Sequence, residues 1–483
     1  MSNEEKIKKI SNSINNTQLL VVIAMFVGFL LRMYNLGVWN LSSDEAFCVR
    51  VAGLNYIDIV KASIDDVHPP FYYFLFHNWI NLFGNSEFAS RSFSVLFGVL
   101  SIYLVYLLGK TLFNKWTGVI SAIILSISTF AIDYSQKARM YTLLLFLSLC
   151  SVYLYSYIIK KINSNLDKKY YYGLLFINIF LLYTHIYGMF VIMFEFFWLL
   201  VLFIKYRNWG NIKNIFYSIF ASSVVFIPWI FAILRAKAER SEPWLDLPNL
   251  LDILERFSGN YFMLALFVPF FITPIFWKKI RNTEVAFLYV LIFFTVLVPY
   301  LISLIIYPAF QARYVIFASA IFYLIIAYSF NNIKSNFAKL NIAIWFFVIS
   351  FILMGEYYNG PDNVDWRSAT AYLDKQATSS DLLIFSAGYT LKNGFNYYSH
   401  RDDLNKIPFP KLSERISLPV DEKNILELDD PLNKNYKNIY VIYHEHRDYN
   451  DMILKKIEDY GYVYDSDKEF NGMQIFEFVK SDD

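Results

Sequence analysis

The sequence predicts a polytopic α-helical membrane body followed by a small α/β domain, and three observations carry that expectation. Of 483 residues, 56% are hydrophobic and only 17% charged, against the roughly 25% charged of an ordinary soluble chain. Apolar residues gather into runs long enough to cross a bilayer, and the runs stop near residue 355. Lysine and arginine concentrate in alternate connections between those runs, the asymmetry of a multi-pass protein. The first observation alone argues against a large soluble enzyme, since too few polar side chains exist to cover its surface. A net charge of +2, from 43 basic and 41 acidic residues, offers nucleic acid no basic footprint.

The elements follow in order. Met1 to Gln18 is polar and includes Lys6, Lys8 and Lys9, and the apolar run from Leu19 leads into Arg32 and Trp39. No small-residue cleavage site interrupts it, which predicts a retained first span instead of a removed signal peptide. A helix needs about 20 apolar residues to cross a hydrocarbon core about 30 Å thick. Eleven segments meet that length approximately: 18–36, 88–108, 118–135, 140–159, 171–187, 189–204, 214–234, 260–276, 285–307, 311–330 and 338–355. The boundary between the fifth and sixth rests on Thr184, His185 and Gly188 alone.

Charge sets the orientation. The N-terminal tail and the connections 109–117, 160–170, 205–213, 277–284 and 331–339 hold Lys110, Lys115, Lys160, Lys161, Lys168, Lys169, Lys205, Arg207, Lys213, Lys278, Lys279, Arg281, Lys334 and Lys339 with few acids. These belong in the cytoplasm. Connections 37–87, 136–139, 235–259 and 308–310 then face outward, and an odd number of spans carries the C-terminal segment out of the plasma membrane.

Within 37–87, the stretch 70–83 is short, aromatic and interrupted by His77 and Asn78, so it is expected as an interface-lying or partly re-entrant helix. Counting it as a span would put most lysines outside. From Glu356 the apolar runs shorten and Asn, Asp, Lys and Pro become frequent. Residues 381–386, 439–443 and 473–478 read as strands, and 365–377 and 449–459 as helices. The domains expected are therefore a body over 1–355 and an extracytoplasmic α/β domain over 356–483. Cys48 and Cys150 have neither disulfide-framework nor zinc-type spacing.

Charges near membrane depth need a reason. Asp44 and Glu45, Asp66 with His68, Asp133 with Lys137 and Arg139, and Arg313 beside Gln311 all fall at the outer ends of expected spans. Any one of them reads as interfacial or snorkelling; the whole set suits a pocket for an anionic headgroup.

These residues carry a resemblance. Asp44-Glu45 followed by His68-Pro69-Pro70-Phe71-Tyr72-Tyr73, then Leu82-Phe83-Gly84, Glu87, Arg91 and Ser92, resembles the opening of the GT-C glycosyltransferases. More narrowly it is similar to the group of dolichyl-phosphate-mannose protein mannosyltransferases and the lipid A aminoarabinose transferase. Tyr134-Ser135-Gln136-Lys137-Ala138-Arg139-Met140-Tyr141, Thr184-His185 and Gln311-Ala312-Arg313-Tyr314 extend it over roughly residues 20–330. The order and spacing of these blocks, with Ser-Gln-x-Ala-Arg-x-Tyr above all, make the signal fairly specific. Members often carry an acid where this chain has Lys137, which leaves the role of that position open.

The resemblance implies a GT-C type fold and inverting transfer of a sugar from a polyprenyl-phosphate donor, outside the membrane, to a hydroxyl-bearing or amine-bearing acceptor. It places the catalytic acid, Asp44, in the outer connection 37–87. A phosphate with a second pKa near 6 leaves with little acid assistance but needs positive charge as the anion develops. Arg139 and Arg313 are the first candidates for that, with Lys137 and Arg91 behind them, because the guanidinium fork suits phosphate. The acceptor needs a base within about 3 Å; Asp44 matches the family there, and Glu45 is expected to orient the acceptor or hold an arginine. Asp66, His68, Tyr72, Tyr73, Asp133, Tyr141 and His185 are candidate acceptor or sugar contacts. No cofactor is required by this chemistry; a divalent metal is compatible with it, but no compact three-ligand pattern occurs. The competing class is a transporter or flippase of lipid-linked sugars, which shares a multispan body and charged pocket but calls for repeat symmetry that the sequence lacks.

Overall fold

The structure is a computed structural model, and it describes residues 3–66, 68–164, 166–206, 209–237, 250–276, 282–306, 310–360, 364–386, 391–410, 424–444 and 451–481. Arg207, Lys278, Lys279 and Arg281 of the expected inner connections lie outside the described residues, as do parts of the connections 235–259 and 308–310. Helices follow one another as α1 (Asn3–Met33), α2 (Ser43–Ala52), α3 (Tyr56–Asp66), α4 (Phe71–Phe83), α5 (Glu87–Leu112), α6 (Lys115–Ile127), α7 (Thr129–Ser135), α8 (Tyr141–Lys160), α9 (Lys168–Thr184), α10 (Gly188–Tyr206), α11 (Trp209–Lys237), α12 (Leu250–Ser258), α13 (Tyr261–Phe276), α14 (Thr283–Ile292), α15 (Val298–Ile305), α16 (Ile316–Asn331) and α17 (Asn336–Asn359). The chain forms two compact units, one of Met1–Leu36, Leu54–Gly84 and Ala89–Gly360, the other of Gly37–Gly53, Asn85–Phe88 and Pro361–Asp483.

In the first unit, among the described residues, eight helices are long and apolar enough to cross a membrane, or up to ten if each of two bent pairs is one span. The expected segments 118–135 and 260–276 fall on those pairs, α6 with α7 bent by 60° and α12 with α13 bent by 97°. Segment 171–187 falls on α9, 17 residues long. The stretch 70–83 is the 13-residue helix α4, about 20 Å long and too short for a hydrocarbon core of about 30 Å. Gly84 ends it with a φ of 84°, a left-handed conformation that glycine alone adopts freely.

A break inside an apolar helix frees carbonyls that lipid cannot satisfy. Arg32, buried near the end of α1, supplies the missing donors at the α6–α7 break. Its guanidinium bonds Leu125 O at 3.1 Å, Ser126 O at 2.9 Å and Gly28 O at 3.0 Å, and its Nε donates to Ser135 Oγ at 3.0 Å. Gly98 lets this arginine pass, because a Cβ there would lie 2.3 Å from Ser135 Oγ and 3.2 Å from Arg32 Nε. A second buried polar cluster joins α8, α9 and α10. Ser151 Oγ lies 2.6 Å from both Asn178 Oδ1 and Glu195 Oε1, and Asn178 Nδ2 lies 2.7 Å from Glu195 Oε2.

Four of the expected inner connections, 109–117, 160–170, 277–284 and 331–339, meet at one end of this unit. Lys160 donates to Leu112 O at 2.9 Å and pairs with Glu284 at 3.6 Å, while Asn331 bonds Asn114 at 3.2 Å and accepts from Lys339 at 3.0 Å. Arg139 stands just before α8 and Arg313 in the turn before α16, so α8 alone separates them from Lys160 by about 30 Å.

The second unit is built on a five-stranded sheet of β1 (Leu382–Phe385), β2 (Asn405–Pro408), β3 (Asn438–His444), β4 (Tyr462–Phe470) and β5 (Met473–Lys480), in the order β2-β1-β3-β5-β4. β1 is parallel to both β2 and β3, while β5 is antiparallel to β3 and β4. All four residues of β1 are buried, as a parallel strand covered on both faces must be. Leu383 and Phe385 pack on one face with Trp366, Ala369 and Leu373 of α18 (Trp366–Gln376); Leu382 and Ile384 pack on the other with Ile453 and Ile457 of α19 (Asp451–Glu458). The expected strands and helices of the C-terminal segment thus form a small β-sheet domain.

Candidate active site

Within the first unit, two of the four residues expected to meet an anion, Arg139 and Arg313, converge around Tyr141. The guanidinium carbon of Arg139 lies 5.7 Å from the centre of its ring and that of Arg313 6.0 Å. Arg139 Nη2 also bonds Tyr141 Oη at 3.4 Å, and Arg313 sits 5.4 Å over the Tyr314 ring. Two cations this close to one aromatic ring repel each other, and the ring's negative π-surface offsets part of that repulsion. Two guanidinium groups this close can meet the oxygens of one anion.

His185 completes this group. Its ring is 5.0 Å from that of Tyr314, 6.3 Å from Tyr141 and 5.5 Å from His68. The backbone N–H of Tyr187 donates to His185 Nδ1 at 3.1 Å, so the ring proton resides on Nε2. That Nε2–H is buried and has no hydrogen-bond partner among the described residues. A buried donor left in this state asks for an acceptor oxygen.

His68 follows α3 and precedes the Pro69-Pro70 pair that starts α4. Its Nδ1 lies 2.9 Å from Asp66 Oδ2, and Tyr73 Oη donates to the same oxygen at 3.2 Å. Asp66 thereby orients both. Asp133 and Lys137 form an ion pair at 2.8 Å one helical turn apart, with Lys137 also 5.1 Å over the Tyr134 ring. Arg91 is buried and donates to Leu36 O at 3.0 Å, and Tyr72 is buried in an aromatic cluster with Phe76 and Phe93. Ser135 and Gln136 are tied to the end of α1, Gln136 Nε2 donating to Arg32 O at 3.0 Å and Tyr34 O at 2.7 Å. One sequence block thus divides its work between anchoring α1 and presenting Arg139 and Tyr141.

In the second unit, Asp44 is exposed on the first turn of α2. Ser42 caps that helix and Glu45 returns the bond: Ser42 Oγ accepts from Glu45 N at 3.3 Å and Glu45 Oε2 accepts from Ser42 N at 2.9 Å. This is a capping box, with both acids placed where the helix dipole favours negative charge. Glu45 is fully buried in that role, and Asp44 points its shorter side chain from the same turn.

Sequence reasoning passed over Tyr187, whose ring lies 5.0 Å from Tyr314. With 38 tyrosines in the chain, no single one stands out as a marker. Among the described residues no group of three or more His, Cys, Asp or Glu side chains is placed to hold a metal ion.

A family model matches part of the chain, and solved structures of membrane proteins share its fold. The family described as dolichyl-phosphate-mannose-protein mannosyltransferase matches residues 67–231. Among solved structures, the chain is similar to ArnT from Cupriavidus metallidurans in the apo state, with a TM-score of 0.63 at 11% identity over 96% of this chain and 98% of that one. The same protein bound to undecaprenyl phosphate gives 0.61 at 12% identity, covering 95% and 97%. The archaeal oligosaccharyltransferase AglB from Archaeoglobus fulgidus, in complex with an inhibitory peptide and a dolichol-phosphate, gives 0.61 at 12% identity, covering 96% and 74%. No curated protein sequence matches the chain.

Proposed function

We propose that the protein is an inverting glycosyltransferase that moves a sugar from a polyprenyl-phosphate donor to a hydroxyl- or amine-bearing acceptor at the outer face of the plasma membrane. The observation that carries this reading is the group of buried Arg139, half-buried Arg313 and the orphan His185 Nε2–H around Tyr141. Two guanidinium groups and an imidazole N–H suit phosphate oxygens. ArnT bound to undecaprenyl phosphate and AglB in complex with dolichol-phosphate, both sharing the fold, support a lipid-phosphate ligand. A polyprenyl tail cannot leave the bilayer cheaply, which gives the long apolar body its purpose.

In this reading Asp44 takes the proton from the acceptor as its oxygen or nitrogen attacks the anomeric carbon. The glycosidic C–O bond breaks with its electron pair going to the phosphate. Arg139, Arg313 and His185 stabilise the charge that develops there, where low dielectric strengthens them. Asp66 holds His68 and Tyr73 to meet the sugar or acceptor. The proposal includes eleven spans with α9 counted, a cytoplasmic N-terminus, and the C-terminal domain outside.

Mass spectrometry of lipid-linked sugars after loss of the protein tests this. An accumulated polyprenyl-phosphate sugar with a missing glycosyl unit is expected; transport of labelled lipid-linked sugar without covalent transfer would overturn it in favour of a flippase. With the accumulated lipid as donor, Asp44→Asn should retain donor affinity and lose turnover.

A further inference from the structure

The helix that carries Asp44 is held at both ends by residues more than 300 positions later in the chain. On the approach to α2, Asn40 Nδ2 donates to Asp365 Oδ1 at 2.9 Å, and Leu41 N donates to Tyr398 Oη at 2.8 Å. Tyr398 Oη in turn donates a hydrogen bond to Glu87 Oε1 at 3.2 Å, which Arg367 Nη2 also reaches at 2.5 Å. At the last turn of α2, Arg50 Nε donates to Asn393 Oδ1 at 3.2 Å. Asp365 in turn caps α18 by accepting from Ser368 N at 3.1 Å, so the sheet domain's own helix sets where Asn40 lies. All of these residues belong to one compact unit.

We propose that Tyr398 is a positioning residue for Asp44, with Asn393 supporting it from the far end of α2, so that the C-terminal domain aims the base. The proposal rests on the reading of Asp44 as the base. Its chemistry is economical: one phenol accepts from the backbone two residues before the first helical position and donates to a carboxylate, fixing the entry of the chain into α2. A base must sit within about 3 Å of the proton it takes, and misplacement by about 1 Å can cost roughly a hundred-fold. Phenylalanine at 398 keeps the ring and removes both hydrogen bonds.

The test uses the full-length protein in detergent and, as donor, the polyprenyl-phosphate sugar purified from cells lacking the protein. Tyr398→Phe is expected to lower kcat by roughly ten- to a hundred-fold with KM for that donor unchanged, and to speed hydrogen–deuterium exchange in peptides covering residues 38–53. In the Asp44→Asn background it should slow turnover no further. Asn393→Ala should lower kcat in the same manner, and Asn393→Asp, which keeps an acceptor for Arg50, should restore it; this pair decides the matter should Tyr398→Phe not fold. Unaltered kcat in Tyr398→Phe and Asn393→Ala, beside an inactive Asp44→Asn, overturns the positioning alone. Full turnover by Asp44→Asn overturns the base assignment and the proposal with it.

Discussion

Arg139 and Arg313 meet at the ring of one tyrosine, Tyr141, a geometry that lysine cannot reproduce. Lysine keeps the charge but loses the planar fork and its stacking on the ring. Arg139→Lys and Arg313→Lys are therefore each expected to cut kcat by roughly ten- to a hundred-fold, the size of losing one charge-assisted hydrogen bond in the transition state, as steady-state kinetics with the accumulated donor lipid would read. Asp365 supplies a pH dependence at the same scale. Burial pushes its carboxyl up, but hydrogen bonds from Ser368 and Asn40 outweigh that and hold it below the ordinary carboxylate value. A depressed folded value means the contribution is fully present above the unfolded value of about 3.9 and is lost as pH falls through the folded one. Acid unfolding below about pH 4 should thus be shallower in Asp365→Asn than in the native protein.

Helices of this body are joined by a few buried polar groups that must be satisfied inside lipid. Around Ser151, Asn178 and Glu195 there are three short oxygen–oxygen or nitrogen–oxygen edges. The serine hydroxyl and the asparagine amide provide one hydrogen each to the ring, whichever way the amide is turned. The third edge closes only with a hydrogen on Glu195, so the carboxyl is held as the neutral acid. Glu195→Gln, which offers one donor and one acceptor in the same places, should leave thermal unfolding in detergent nearly unchanged, while Glu195→Ala should cost about 2–4 kcal/mol. The protonated-acid C=O band in infrared difference spectra should vanish in Glu195→Gln. Arg32 is the other such joint. Arg32→Leu strands the Leu125 and Ser126 carbonyls at the α6–α7 break, and a loss of about 3 kcal/mol or more is expected in the same unfolding assay.

For the molecule as a whole, the placement of the lysine-bearing connections sets the orientation proposed. Lys160, Glu284, Asn331 and Lys339 gather the expected cytoplasmic connections at one end, with Arg139 and Arg313 a helix length away. In intact cells, with Cys48 and Cys150 replaced, a membrane-impermeant maleimide should label Lys468→Cys in the C-terminal domain and leave Ser164→Cys untouched until the membrane is opened. Labelling in the opposite sense would reverse the proposed topology.

Much of this was legible in one dimension. Hydropathy located helices because a bilayer demands about 20 apolar residues whatever the neighbours; charges at membrane depth singled out His68, Arg139 and Arg313, and the family resemblance carried by the ordered blocks added His185 and Tyr141. The sequence also placed β1, β3 and β5 of the C-terminal domain as short apolar runs between turn residues, but not the two edge strands β2 and β4, whose residues are largely polar. What it did not disclose depends on pairings between distant residues. Nothing near Ser128 announces a 60° bend, because the donor that permits it, Arg32, lies about a hundred positions earlier. Glu195 sits in an unremarkable aromatic run and becomes a neutral joint only through two other helices. The stretch 37–87 reads as one connection, yet its Asp44-bearing part packs with residues beyond 360. Composition and period determine what a segment is, whereas hydrogen-bond partners decide what it holds, and only the folded chain brings those partners together.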